Sequence, residues 1–466
     1  MSVLTVGPNA YPTIAAALVH ALSGDTLKLH AGYSHDTAVL TVQNLSVTGA
    51  ASSTDIDLTL GAGVADVTLQ GLAPITVHDN SGDNIITGNA GANLLAVSGG
   101  NDVVHGGGGV DRLIVDYSAL TATVTGTVTG VTDGGTNAVL FDGVENFTIL
   151  TGAGNDTITT ADGDNLVTSG AGNDTITVGN GHDTIAGGAG NDTVTAGDGG
   201  DKVDGGDGNN TITTGAGNDT VLTGSGNDSI MTGGGADRIT VTGGIDTVDS
   251  GTGNDRLIVN YAQSATDVTG GAGAGSFAAG YSGTVADSSG NSVYFSNTES
   301  FSIATGLGND HVLTGGGSDV LSGHAGDDWL DGGGGADQLF GGAGDDTLIG
   351  GGGADVLGGG LGADHFVYTA TSQSTGTPAG QDVITDFSSA QGDKIDLTSI
   401  DADTTLGGDQ AFSLVGGGFT GHAGQLIELA RPGGFLVEGD VNGDGRADFA
   451  IFVDGSTALL QGDFIL

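Results

Sequence analysis

Along much of this chain a single apolar residue returns every nine positions, with a polar or small residue on either side. Thr157-Ile158-Thr159, Thr175-Ile176-Thr177 and Thr193-Val194-Thr195 are three such triplets. A triplet of this kind turns one side chain inward and two outward, so each predicts a strand of only three residues. The six residues between triplets are rich in Gly, Asn and Asp, which predicts a turn. A row with one inward side chain has no core of its own. Rows must therefore stack, two to a flattened coil, into an all-β parallel solenoid.

The register of the rows exposes their chemistry. The consensus Gly-Gly-x-Gly-x-Asp-x-(aliphatic)-x fits four rows beginning at Asp79, Gly88, Val97 and Gly106. It fits twelve unbroken rows from Thr151 to Ile258 and seven from Thr305 to Val367. Gly187-Gly188-Ala189-Gly190-Asn191-Asp192-Thr193-Val194-Thr195 obeys it throughout. Glycine at positions 1, 2 and 4 permits positive φ and leaves carbonyl oxygens unscreened. Position 6 adds a carboxylate. Calcium takes six to eight oxygen ligands at about 2.3–2.6 Å, a set that carbonyls and carboxylates supply. The candidate ligands are Asp102, Asp111, Asp156, Asp174, Asp183, Asp192, Asp201, Asp219, Asp228, Asp237, Asp246 and Asp255, then Asp310, Asp319, Asp328, Asp337, Asp346, Asp355 and Asp364. Asn84, Asn93, Asn165 and Asn210 fill position 6 in the other rows, keep an oxygen and lose the charge, so weaker binding is expected there.

This nonapeptide resembles that of the RTX (repeats-in-toxin) calcium-binding proteins, which implies a parallel β-roll with calcium ions held between turns two rows apart. On that geometry the three blocks would hold about 17 ions and cancel about 34 negative charges. Composition gives this weight. Lys and Arg total 8 against 56 acidic residues, a formal charge of −48, and 94 of 466 residues are glycine. Self-repulsion on that scale predicts repeats that are largely unfolded without metal. The acidity argues against nucleic acid and anionic membranes as partners. No Cys exists for disulfides or thiol chemistry, and no apolar run is long enough to span a bilayer.

After the last row the pattern shifts to longer alternating strands. Gly362-Ala363-Asp364-His365-Phe366-Val367-Tyr368, Asp382-Val383-Ile384-Thr385-Asp386-Phe387 and Gly392-Asp393-Lys394-Ile395-Asp396-Leu397 lead to Asp463-Phe464-Ile465-Leu466. In this order they resemble the C-terminal domain of serralysin metalloproteases. That resemblance implies an uncleaved signal for type I (ABC) export and a secreted, extracellular or cell-surface place on a Gram-negative bacterium. The terminal Asp-Phe-Ile-Leu reads equally as a last core strand. The start, MSVLTVGPNAYPTIAAALVHAL, has no basic stretch before its apolar residues and does not read as a signal peptide. The protease itself is not implied: none of the ten His forms a His-Glu-x-x-His pair, and no Gly-x-Ser-x-Gly elbow occurs. Asp440, Asn442, Asp444 and Asp448 match the opening of an EF-hand loop, but Ile451 stands where its last ligand should be. A calcium-stabilised turn and an Asx-rich hairpin turn both fit.

Residues 1–78 carry a short amphipathic helix from Ile14 to Leu22 and strands near Thr26–Leu29, Val39–Val42, Leu45–Val47, Ile56–Leu60, Val67–Leu69 and Ile75–Val77. Pro12-Thr13-Ile14-Ala15-Ala16-Ala17, Gly24-Asp25-Thr26 and Ala31-Gly32-Tyr33 resemble the opening coil of β-helix polysaccharide enzymes, and a cap on the solenoid is expected here. The expected order is this cap, a row block at 79–114, a β interlude at 115–150, a block at 151–258, a second interlude at 259–304, a block at 305–367 and a serralysin-like domain at 368–466. The interludes repeat each other: Asp111-Arg112-Leu113-Ile114-Val115-Asp116-Tyr117 matches Asp255-Arg256-Leu257-Ile258-Val259-Asn260-Tyr261, and Val144-Glu145-Asn146-Phe147-Thr148-Ile149 matches Thr298-Glu299-Ser300-Phe301-Ser302-Ile303. No catalytic constellation emerges. The expectation is a secreted, non-enzymatic calcium-binding protein of a surface layer, adhesin or matrix, with itself or a surface polysaccharide as partner. The alternative is a polysaccharide-active enzyme or accessory module, like an alginate epimerase or lyase.

Overall fold

The computed structural model describes residues 1–377, 379–455 and 458–466. The chain divides into two units, Met1–Ser225 and Gly226–Leu466. Both are built mainly from strands, most of them short and paired in parallel. The one α-helix among the described residues, Ile14–Leu18, is shorter than the predicted span to Leu22. Thr13 caps its start, and Asp25 turns back to accept the Leu22 N–H at 3.0 Å, so the chain leaves the helix early.

In the first unit the chain alternates between two parallel sheets. Val3–Val6, Thr26–Leu29, Leu45–Gly49, Asp66–Gly71, Ile85–Thr87 and Asn101–His105 build one. Ser34–Leu40, Thr54–Leu60, Ile75–His78, Leu94–Val97 and Arg112–Asp116 build the other. Residues 1–78 thus pair directly onto the rows that follow. Leu45 pairs with Val67, Val67 with Ile86 and Ile86 with Val104, so the coil shortens from twenty-two residues to eighteen as the nonapeptides begin. Beyond the first interlude, Thr157, Thr175, Thr193 and Thr211 stack in register on one sheet, and Leu166, Thr184, Lys202 and Thr220 on the other.

The second unit repeats the plan. Its rows pair through Trp329–Asp331, Thr347–Ile349 and His365–Val367 on one side, and through Val320–Ala325, Gln338–Ala343 and Val356–Leu361 on the other. The segment after the last row continues both sheets. Lys394–Asp396 adds to His365–Val367, and Asp382–Ile384 adds to Val356–Leu361. An antiparallel set of Gln425–Arg431, Gly434–Asp440 and Phe449–Asp454 then extends one sheet. Phe464–Ile465 closes the other, with Asp463 buried beside it.

Each interlude is an antiparallel meander spliced into a parallel sheet. In the first, Ala138–Asp142 pairs with Asn101–His105, folds back through Gly130–Thr132 and Thr125–Thr127, and meets the next row at Thr157. In the second, Ser292–Thr298 pairs with Ile245–Asp249, folds back through Gly280–Asp287 and Val268–Ser276, and meets His311. The opposite sheet runs on undisturbed, because Arg112–Asp116 pairs with Asn146–Leu150 and Arg256–Asn260 with Ser300–Ala304. The Arg-Leu-Ile and Phe strands leave and rejoin the roll as their sequence likeness implies. Phe141 packs on Phe147 at 4.9 Å, and Phe295 on Phe301 at 5.0 Å.

Every position-8 side chain is buried, from Ile86 and Leu95 through Ile158, Val194 and Leu257 to Leu330 and Phe366. The core is one residue deep on each sheet, and close stacking of the turns makes it tight. Gly217, at position 4, has φ +154°, and a Cβ there would lie 1.3 Å from the Gly199 carbonyl oxygen. Gly352, at position 3, faces open space. Gly217→Ala is therefore expected to cost about 3 kcal/mol or more, and Gly352→Ala almost nothing. Thermal unfolding of the two variants in saturating calcium checks the contrast.

Candidate metal centre

Stacking at an interval of two rows brings the position-6 side chains into two ladders. The backbone N–H of Asp156 donates to Asp174 Oδ1 at 2.7 Å, Asp174 to Asp192 Oδ1 at 2.8 Å, and Asp183 to Asp201 Oδ1 at 2.9 Å. In the second unit Asp319 donates to Asp337, Asp337 to Asp355, and Asp328 to Asp346 in the same way. All the position-6 residues are buried. This bond uses one carboxylate oxygen and leaves the other. Oδ2 of Asp102, Asp111, Asp156, Asp192, Asp201, Asp246, Asp255, Asp328, Asp337, Asp346, Asp355 and Asp364 is buried and meets no donor among the described residues. Asp310 differs, because its Oδ2 accepts the Gly306 N–H at 3.3 Å.

Two asparagine rows show what that second oxygen faces, whereas Asn84 Nδ2 reaches the Val64 and Ala65 carbonyls and Asn93 Nδ2 is buried without an acceptor among the described residues. Asn165 Nδ2 donates to the carbonyls of Ala161 and Gly163, at 3.1 and 2.8 Å, which are positions 2 and 4 of its own turn. Asn210 Nδ2 donates to the position-2 carbonyl of Gly206 at 3.1 Å. An amide N–H thus satisfies the turn from within. A carboxylate at the same place sets an acceptor against acceptors, an arrangement that a cation resolves and that is costly without one. The donors are all hard oxygens, which suits calcium. Among the described residues no three His, Asp or Glu side chains converge as a metal cluster, so the turn carbonyls must complete any coordination shell.

Burial pushes the ladder carboxyls up from the ordinary aspartate range. Asp337 and Asp382 rise to about 8, Asp102, Asp246, Asp255 and Asp346 to about 7, and Asp201, Asp328, Asp355 and Asp364 to about 6. In each the dominant cause is desolvation. The N–H bond from the row below opposes it, and neighbouring carboxylates such as Asp319 and Asp355 beside Asp337 reinforce it. Charge in this ladder is unfavourable unless something positive sits in it.

Four further carboxylates occupy position 6 outside the nonapeptide pattern. Asp382 Oδ1 accepts the Asp355 N–H at 2.9 Å, and the Tyr368 side chain lies beside its carboxyl. Asp393 Oδ1 accepts the Asp364 N–H at 3.1 Å, although its Oδ2 takes the Ser388 N–H at 2.8 Å. Glu145 and Glu299 accept the N–H groups of Asp111 and Asp255. The signal was present as an acid two residues before an apolar position: Asp382-x-Ile384, Asp393-x-Ile395, Glu145-x-Phe147 and Glu299-x-Phe301.

The loop from Asp440 to Asp448 is closed on itself. Asp440 accepts the N–H groups of Gly443 at 2.7 Å and Gly445 at 2.9 Å, and Asp448 accepts that of Val441 at 2.8 Å. Asn442 Oδ1 accepts the Asp444 N–H, and Asp444 accepts that of Arg446, both at 2.9 Å. The pattern is a string of Asx turns joining Gly434–Asp440 to Phe449–Asp454.

The RTX calcium-binding nonapeptide repeat matches residues 78–113, 148–176, 177–212, 195–230, 204–239, 231–260, 305–339 and 331–366. No curated protein matches the chain. Among solved structures the chain is similar to the solution structure of the AlgE6R3 subunit from the Azotobacter vinelandii mannuronan C5-epimerase. The likeness has 25% identity and a TM-score of 0.21, and it covers 36% of this chain and 77% of that one. No helix among the described residues is long and apolar enough to cross a membrane. The repeated turns and their buried carboxylate ladders thus lie in the stretches that match the RTX calcium-binding nonapeptide repeat.

Proposed function

We propose that the protein is exported, folds when it meets extracellular calcium, and serves as a non-enzymatic structural element of a surface layer, adhesive or matrix. The observation that carries this reading is the set of buried carboxylate ladders within each unit, with Oδ2 unpaired among the described residues at Asp102, Asp156, Asp201, Asp328, Asp337 and Asp355. Asp102, Asp111, Asp156, Asp192 and their counterparts would hold the ions with the turn carbonyls, about 17 in the nonapeptide rows if each pair of stacked turns shares one. Extracellular calcium modules work at about 10⁻⁴–10⁻³ M, far above free calcium in a cytosol. A chain of charge −48 would then stay loose before export and become rigid outside. The likeness of residues 362–466 to a serralysin C-terminal domain supports type I export from a Gram-negative cell. The self-paired strands and outward polar rows suit repetition along a surface, with a second copy or a surface polysaccharide as partner.

Electron microscopy of the purified protein with and without millimolar calcium, beside fractionation of the source cells, tests this. A calcium-dependent lattice or fibre on the cell surface is the expected result. A monodisperse monomer that cleaves or epimerises uronate polymers overturns it.

A further inference from the structure

Two of the carboxylates outside the nonapeptides stand where the interludes rejoin the roll. Strand register pairs Leu113 with Phe147 and Leu257 with Phe301. That register sets Glu145 opposite Asp111 and Glu299 opposite Asp255. Glu145 Oε2 accepts the Asp111 N–H at 2.8 Å, and Glu299 Oε2 accepts the Asp255 N–H at 2.9 Å. This is the bond that an aspartate Oδ1 makes in the regular rows, as between Asp156 and Asp174 at 2.7 Å.

The aspartate of each pair is left as the repeat aspartates are. Asp111 Oδ1 accepts the Asn93 N–H at 2.7 Å, and Asp255 Oδ1 accepts the Asp237 N–H at 2.8 Å. The Oδ2 atom of each is buried without a donor, and both residues are 0% exposed. Glu299 is itself buried, at 4% exposure. The nearby arginines are committed elsewhere. Arg112 donates to the Phe147 and Asp164 carbonyls at 3.2 and 2.9 Å, and Arg256 to the Ser318 carbonyl at 2.6 Å. In each pair the aspartate keeps a buried, unpaired Oδ2 while a second carboxylate binds its N–H, an accumulation of negative charge that these arginines do not offset.

We propose that a calcium ion sits between Asp111 and Glu145 and another between Asp255 and Glu299, so that metal closes the base of each interlude. The proposal rests on the reading that calcium folds the roll, and it adds sites the repeats do not contain. The nonapeptide match stops at 113 and resumes at 148, and stops at 260 and resumes at 305, so both glutamates lie outside it. The consequence is functional. Each meander, 115–144 and 261–298, hangs from a clamp of its own, and its order follows calcium even though it carries no repeat.

The test uses the full chain, calcium alone as the probe, and the substitutions Glu145→Gln, Glu299→Gln and both together. Glutamine keeps an oxygen for the Asp N–H and removes the charge. Equilibrium dialysis with radiocalcium is expected to count one ion fewer in each single variant and two fewer in the double, with an unchanged far-UV spectrum in saturating calcium. Hydrogen exchange in 115–144 and 261–298 is expected to lose its dependence on calcium in the corresponding variants. Should the double variant fail to fold, the two single variants carry the count. An unaltered ion count and unaltered exchange overturn the proposal and leave calcium folding of the repeats intact. A wild-type chain that binds no calcium overturns the underlying reading instead.

Discussion

Removing calcium is expected to convert the protein from a β-rich fold to an expanded chain with little regular structure. Bound ions and a core one residue deep must together offset the self-repulsion of a chain with 56 acidic and 8 basic residues. At a tenfold excess over its dissociation constant, one ion adds about 1.4 kcal/mol to the folded state. About 17 ions would add about 24 kcal/mol, more than the 5–15 kcal/mol by which domains are normally stable. Without that contribution the balance tips to the unfolded side. Far-UV circular dichroism in EDTA is expected to lose its β signal, and small-angle scattering to report a radius of gyration approaching about 80 Å. Millimolar calcium should restore both. Magnesium should restore neither, because it demands near-octahedral geometry and gives up water reluctantly. A β-rich spectrum that persists in EDTA would contradict this.

The roll was legible because each row states its own geometry within nine residues. An inward residue such as Ile176 and an acid such as Asp174 keep a fixed offset, and nothing distant is needed to place them. The meanders were not legible in that way. Val268–Ser276 is VTGGAGAGS, with almost no apolar alternation, and its partners Gly280–Asp287 and His311–Leu313 are set by tertiary pairing. Residues 1–78 hid their continuity with the roll for a related reason: coils of about twenty residues do not show an eighteen-residue period. The ladder positions of Glu145, Glu299, Asp382 and Asp393 were masked by inserts of unequal length. Their offset from the next inward residue survived, while their distance from the previous row did not. The interludes also step the ladders in space: Asn165 and Asp319 take the N–H groups of Phe147 and Phe301, and Asp156 and Asp310 those of Val124 and Val268.

Acid is expected to substitute in part for calcium. Burial raises Asp337 and Asp382 to about 8, Asp102, Asp246, Asp255 and Asp346 to about 7, and Asp201, Asp328, Asp355 and Asp364 to about 6 in the calcium-free fold. In the unfolded chain an aspartate titrates near 3.9. The folded state therefore binds protons more tightly, and its stability falls as pH rises through the folded values. The protonated ladder contributes fully below about pH 4 and is lost between about pH 6 and 8. A proton on Oδ2 does what the Asn165 amide does, giving the facing carbonyls of its turn a donor. In EDTA, lowering the pH from 8 toward 5 is thus expected to bring back β signal in circular dichroism. In calcium the same titration should weaken ion binding, because protons and metal compete for the same oxygens. Paired titrations of the β signal and of bound calcium separate the two effects. A calcium-free chain that gains no structure on acidification would show that the ladder carboxylates are not the groups that calcium neutralises.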